Sequence, residues 1–209
     1  TDVIFERLRR VLEALEKVVI FVDEADTQFG GVGQETHSTE RRLTGKIQAM
    51  MSDPRLRGRV TWLLMTARIH LLSPDIRRPG RVGDLIIPVL DPEGDDRKEF
   101  VAWVAGAVIP KPDEDTLQKL DDLTRGYSAA AFASLRSHLK ASGAGTVERI
   151  VEIVHDHIPP AIGLTRRYQT LQALINCTRR SLLPDPNFTE ADRQAWQKEV
   201  RALEAMGIS

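Results

Sequence analysis

Cysteine is nearly missing from this chain. Cys177 is the only one in 209 residues, so an internal disulfide and a cysteine-built zinc site are both excluded. A dominant charge is missing too, since 29 Lys plus Arg stand against 30 Asp plus Glu for a net charge of -1. No global basic field gathers nucleic acid, which is not an expected partner. No apolar run approaches the roughly 20 residues needed to cross a bilayer, and the first residues lack the charged-then-apolar layout of a secretory signal. A cytoplasmic protein with no membrane partner is expected. What is present is ample core material: 42% apolar and 28% charged residues suit one large domain or two small ones. The chain begins at Thr1 rather than Met, which suggests a piece of something longer.

Hydrophobic spacing divides the chain into two halves. Ile4, Phe5, Leu8, Val11, Leu12 and Leu15 recur at helical intervals, and Val18-Val19-Ile20-Phe21-Val22 is then continuously apolar and mostly β-branched. Such a run predicts a strand buried on both faces, as in a parallel sheet. A polar, glycine-bearing stretch over 27–38 predicts a loop, and helical spacing resumes over 39–51. Residues 60–65 and 85–90 are further apolar runs, so helix alternates with buried strand as in an α/β layer. From Asp91 onward, segments 93–105, 113–123, 128–141, 146–157, 165–182 and 189–205 all predict helices, separated by Pro and Gly. Thr189 and Asp192 are placed for a capping box at the start of the last one.

The chemistry-bearing feature is a pair of acids, Asp23 and Glu24, where the first strand stops. Open α/β sheets bind ligands at the carboxyl ends of their strands. One carboxylate there can hold a hydrated Mg²⁺ while its neighbour polarises a water for attack on a phosphoryl group. The alternative is a strand end whose acids merely cap the following turn.

Val-Val-Ile-Phe-Val-Asp-Glu-Ala-Asp over 18–26 resembles the Walker B strand of the AAA+ ATPases. Val60 through Arg68 is similar to the sensor-1 strand of that family, and Leu71-Leu72-Ser73-Pro74-Asp75-Ile76-Arg77-Arg78-Pro79-Gly80-Arg81 is similar to its arginine-finger segment. Gly126-Tyr127-Ser128-Ala129-Ala130-Ala131 resembles the start of the sensor-2 helix in the family's lid. The resemblance covers about residues 10–160. It implies an α/β fold class: a truncated parallel-sheet P-loop ATPase core over 1–91, a helical lid over 92–160 and a helical C-terminal extension over 161–209.

Roles follow from that resemblance position by position. Asp23 would organise Mg²⁺ through its water shell, and Glu24 would activate the attacking water. Arg78 and Arg81 would reach the neighbouring subunit's ATP site, which implies self-association into a ring such as a hexamer. Ala129 and Ala130 would press backbone against adenine, and the 27–38 loop would line a pore for a protein client or adaptor. The plainer alternatives are solvated arginines beside a Pro-Gly turn, a passive connection, and ordinary helix-forming alanines.

The chain also departs from the pattern. It has no Gly-x-x-x-x-Gly-Lys-Ser/Thr, the phosphate cradle of a P-loop; Gly45-Lys46 is followed by Ile47 and is expected inside a helix. Any such loop and its central strand are expected upstream of Thr1. Without that strand, 18–22 and 60–65 are expected to remain neighbours while 85–90 is displaced or pairs across a contact with another chain. Ala67 stands at the sensor-1 position where the family usually has Asn, with the Thr66 hydroxyl as a substitute, and Ala131 stands where the lid usually has Asp.

The remaining candidates are weaker. His155 and His157 are two apart on a predicted helix and point to different sides, and His37, His70 and His138 have no partner at ligand spacing. Arg166, Arg167, Arg179 and Arg180 form basic pairs for which a solvated helix face is the default. The tail over 160–209 is expected to pack on the lid or a neighbouring protomer, or to dock a client. The expectation is the C-terminal portion of an ATPase that, with ATP and Mg²⁺, remodels a protein client, this chain alone being inactive. The alternative is a non-catalytic pseudo-ATPase module used for assembly.

Overall fold

The computed structural model describes residues 2–30, 38–158 and 161–209, and the chain divides into two compact units. One combines Thr1–Pro88 with Ile162–Ser209, and the other is Val89–Ala161.

The first unit is built on a two-stranded parallel sheet. Strand β1 (Val18–Val22) pairs with β2 (Val60–Leu64) in the register Val18 to Val60, Ile20 to Trp62 and Val22 to Leu64. Parallel neighbours need a long crossover, and here it contains the short helix α2 (Ala25–Gln28) and the helix α3 (Ser38–Met51). Helix α1 (Asp2–Ala14) precedes β1 and turns Phe5, Leu8 and Leu12 inward. These side chains meet Val18, Ile20, Val60 and Trp62 from the sheet, with Ile47 and Met50 from α3. Arg59 ties the two elements together by donating from Nη2 to the carbonyls of Glu13 and Leu15, at 2.7 and 2.6 Å, where α1 leaves carbonyls without helical partners.

Burial of the sheet is one-sided, which corrects the expectation of a strand covered on both faces. Burial alternates along both strands, leaving Val19 53% and Phe21 65% exposed, with Leu63 and Met65 also exposed. The apolar run records that both faces are fit for burial; α1 and α3 cover one of them. Residues 85–90 join no sheet. Ile86 instead accepts from the Thr178 amide and donates to the Thr178 hydroxyl, so this segment is displaced onto the tail.

The tail consists of α8 (Gly163–Asn176) and α9 (Glu190–Ala205), which pack together through Tyr168, Leu171, Val200 and Leu203. The expected helix over 165–182 therefore stops at Asn176, because the chain leaves it extended at Cys177 so that Thr178 can reach Ile86. The expected capping box is formed: Thr189 Oγ1 accepts from the Asp192 amide, and Asp192 accepts from the Thr189 amide. The tail shares its unit with residues 1–88.

The second unit is a bundle of α4 (Gly94–Ala105), α5 (Glu114–Leu123), α6 (Ala129–Ser142) and α7 (Val147–Asp156). Val101, Val104, Leu120, Phe132, Leu135, Leu139 and Ile150 form its core. Asp113, Ser128 and Thr146 cap the starts of α5, α6 and α7 by accepting from Thr116, Ala131 and Arg149 amides. Arg97 crosses the core edge, paired with Asp121 at 2.7 Å and lying over the Phe132 ring.

Candidate functional site

The carboxyl end of β1 turns sharply at Glu24, which adopts a left-handed conformation with φ 47° and is the only described non-glycine residue with positive φ. That geometry costs on the order of 1 kcal/mol for a residue with a Cβ, and such outliers cluster at functional sites. It is held from both sides. The Ala25 amide donates to the Met65 carbonyl at 2.9 Å, and the Glu24 carbonyl accepts from the Thr27 amide and hydroxyl. Asp23 and Glu24 are both exposed at this turn. Asp23 Oδ1 accepts from the Glu24 amide at 2.9 Å, which orients the carboxylate and leaves its other oxygen without a hydrogen bond among the described residues. Glu24 has no side-chain partner among them.

Beneath the pair lies an acid that sequence reading passed over. Asp26 is 4% exposed, accepts from the Thr66 hydroxyl at 2.5 Å and pairs with Arg68 at 2.5 Å. The Arg68 amide donates in turn to Thr66 Oγ1. This knot joins the turn after β1 to the turn after β2 and commits the Thr66 proton to Asp26. The available signal was the spacing, Asp26 three residues beyond Asp23, but its partners stand 40 residues away.

The arginine segment forms a closed turn in the same unit. Gly83 packs so tightly on it that an added Cβ would lie 1.8 Å from the Arg77 carbonyl oxygen. Arg78 is exposed and pairs with Asp75 at 3.0 Å, while Arg81 donates to the Asp75 carbonyl at 2.8 Å and to Ser52 Oγ at 3.3 Å. Neither arginine contacts Asp23 or Glu24 within the chain. Arg77 is partly buried, donating to the Leu72 carbonyl and to Asn176 Oδ1 of α8. Nearby, His70 meets the edge of the Tyr168 ring at a centroid distance of 5.1 Å, and burial followed by the adjacent Arg68 charge pushes its pKa below the ordinary value.

The other sequence candidates fall elsewhere. Ala129 and Ala130 open α6 in the second unit and are exposed. Of the expected 27–38 loop, residues 27 and 28 are helical, Phe29 is buried and Gly30 bridges to Leu72, whereas 31–37, including His37, lie outside the described residues. Gly45-Lys46 sits inside α3 as expected. Arg167 is engaged with Glu199, and Arg180 covers Phe188, so these members of the basic pairs are spent on tail packing.

Mg²⁺ retains much of its water and is usually held by one or two carboxylates plus phosphate. The free Asp23 oxygen suits that arrangement. No cluster of three or more His, Cys, Asp or Glu able to hold a metal occurs among the described residues.

Comparison with known proteins bears on residues 3–88, which match the model of the ATPase family associated with various cellular activities (AAA). Over these residues the chain is similar to that family. It is 28% identical over 160 residues to the cell division cycle protein 48 homolog of Archaeoglobus fulgidus, covering 75% of this chain and 22% of that protein. It is 31% identical over 133 residues to Protein SAV of Sulfolobus acidocaldarius, covering 62% of this chain and 17% of that one. The chain thus spans about a fifth of the length of these curated relatives. Its fold is similar to a chain in the structure of the E. coli MS115-1 HORMA:CdnC:Trip13 complex, with a TM-score of 0.58, 17% identity, and coverage of 75% of this chain and 56% of that one. No described helix is long and apolar enough to cross a membrane.

Proposed function

We propose that this AAA-like segment supplies the hydrolytic half of an ATP site: the water-activating acids, the sensor-1 strand and the arginine fingers. The observation that carries this reading is the exposed Asp23–Glu24 pair on a left-handed turn, braced from below by Asp26, Thr66 and Arg68. Bound Mg²⁺ would neutralise charge on the terminal phosphates. Asp23 would hold its water shell through the oxygen not used by the Glu24 amide. Glu24, without a side-chain partner among the described residues, would accept a hydrogen bond from the attacking water and draw its proton. Thr66, already donating to Asp26, keeps an acceptor lone pair and fixes the acid turn against β2. Arg78 and Arg81, engaged with Asp75 and in no contact with Asp23 or Glu24 of their own chain, would complete the site of an adjacent subunit in a ring, where a guanidinium fork stabilises charge on the transferring phosphoryl group. The work done is the remodelling of a protein client in the cytoplasm.

The phosphate cradle is not encoded in these residues, so the 209-residue chain by itself is inactive and binds nucleotide weakly. Calorimetry of the purified chain with Mg-ATP should show no micromolar binding. Fingers acting across a subunit boundary are tested in the longest natural polypeptide carrying this chain. Glu24→Gln and Arg81→Ala should each abolish turnover, and mixing the two variants should restore part of it. No recovery on mixing would contradict the ring reading.

A second reading is favoured by Ala67 at the sensor-1 position and by the committed Thr66 hydroxyl: a pseudo-ATPase used for assembly. Turnover in that same polypeptide, and its increase in Ala67→Asn, separates the two.

A further inference from the structure

Arg77 differs from the two arginines that follow it. It lies partly buried with no carboxylate partner among the described residues, and its guanidinium is held by the Leu72 carbonyl at 3.1 Å and by Asn176 Oδ1 at 3.0 Å. Asn176 ends α8, 99 residues away in sequence. Its orientation is itself fixed, because Nδ2 donates to the Gln172 carbonyl at 2.9 Å, so Oδ1 is the atom left to face Arg77. The arrangement continues inward: Gln172 Nε2 donates to the Tyr168 hydroxyl, which donates to Glu204 of α9 at 3.0 Å. A hydrogen-bonded line therefore runs from α9 through α8 to the arginine turn. The turn can transmit what it receives, since Gly83 packs against the Arg77 carbonyl and Arg81 donates back to Asp75.

We propose that the C-terminal helix pair is a positioning element for the arginine turn, with Asn176 as the positioning residue that clamps Arg77 and so fixes where Arg78 and Arg81 leave the chain. The functional meaning rests on the reading of Arg78 and Arg81 as fingers, but the clamp itself is a property of this chain and is measured without nucleotide. A side-chain amide is well suited to the task. It offers one acceptor to the guanidinium while its donor is tied down, so the contact holds direction with less of the desolvation cost of a buried ion pair.

The test is hydrogen exchange on the whole chain, comparing wild type, Asn176→Ala and Asn176→Asp. The alanine removes both bonds, whereas the aspartate keeps an oxygen for Arg77 and gives up only the tie to Gln172. Exchange at the Ile76, Arg77, Arg81 and Leu85 amides, all bonded within the turn, should rise about tenfold in Asn176→Ala while β1 and β2 stay within about twofold. Asn176→Asp should return the turn to near the wild-type rate. Unchanged turn amides in Asn176→Ala would overturn the proposal. So would an aspartate variant whose turn exchanges as fast as the alanine variant's. If the alanine variant loses protection throughout its unit, the aspartate variant decides alone, and rapid exchange confined to its turn refutes the clamp. Failure of the finger reading looks different: Arg81→Ala would leave turnover unaffected while the exchange pattern stays as described.

Discussion

The helical unit over 89–161 and the sheet of the other unit both draw on apolar sequence, yet they use it differently. In the bundle, Val104, Phe132 and Leu139 are completely buried, and every large side chain of its core has partners from the same short stretch of chain. In the sheet, Ile20 and Trp62 are partly buried while Phe21, one residue along from Ile20, is 65% exposed. A four-helix bundle can close its core with local contacts. A parallel strand has two faces, each needing its own layer, and α1 and α3 provide one. The difference teaches that apolar runs state a capacity for burial, and only the neighbours realise it.

The largest expected effect lies in the bundle. Phe132→Ala should cost about 3–5 kcal/mol by removing a ring wedged between Phe100, Tyr127 and the Arg97 guanidinium. Hydrogen exchange should show the loss over α4–α7 while β1 and β2 keep their protection; an equal loss in both would break the independence of the two regions. Asp26→Ala comes next. It strands Thr66 and Arg68, and because Arg68 is 44% exposed and can recover water, the cost should be about 1–3 kcal/mol, read by denaturant unfolding.

Acidity should act on the sheet unit through His70. Its folded pKa lies below the ordinary 6.5 because burial and the Arg68 charge disfavour the imidazolium, so below that pH the unfolded chain binds the proton more readily. Stability of this unit should fall as pH drops through about 6.5, and His70→Gln should flatten the dependence in a pH series of urea melts. The smallest effect should come from Phe21→Thr, within about 0.5 kcal/mol, since the ring leaves water only slightly on folding. A large loss there would mean that the exposed face is covered in solution.

Much of the fold was legible because it is periodic. The helices of the bundle and the first strand start and stop within a residue or so of where spacing and capping residues place them, as with Ser128 before α6 and Thr189 before α9. The first tail helix, expected over 165–182, ends early at Asn176: Leu182 and Leu183 continue the apolar rhythm, whereas the turn at Cys177 goes with a contact to Ile86, far away in sequence. The same limit applies to the site. Asp23 and Glu24 announce themselves as adjacent acids at a strand end, but Asp26 gains its role only from Thr66 and Arg68, and Arg77 only from Asn176. Contacts across 40 and 99 residues leave no local signature.

The account stands or falls on Glu24. In the longest natural polypeptide that carries this chain, Mg-dependent ATP turnover should fall at least about a hundredfold in Glu24→Gln, with ATP binding retained, since only the water-activating carboxylate is lost. Turnover equal to wild type in that variant would contradict the account.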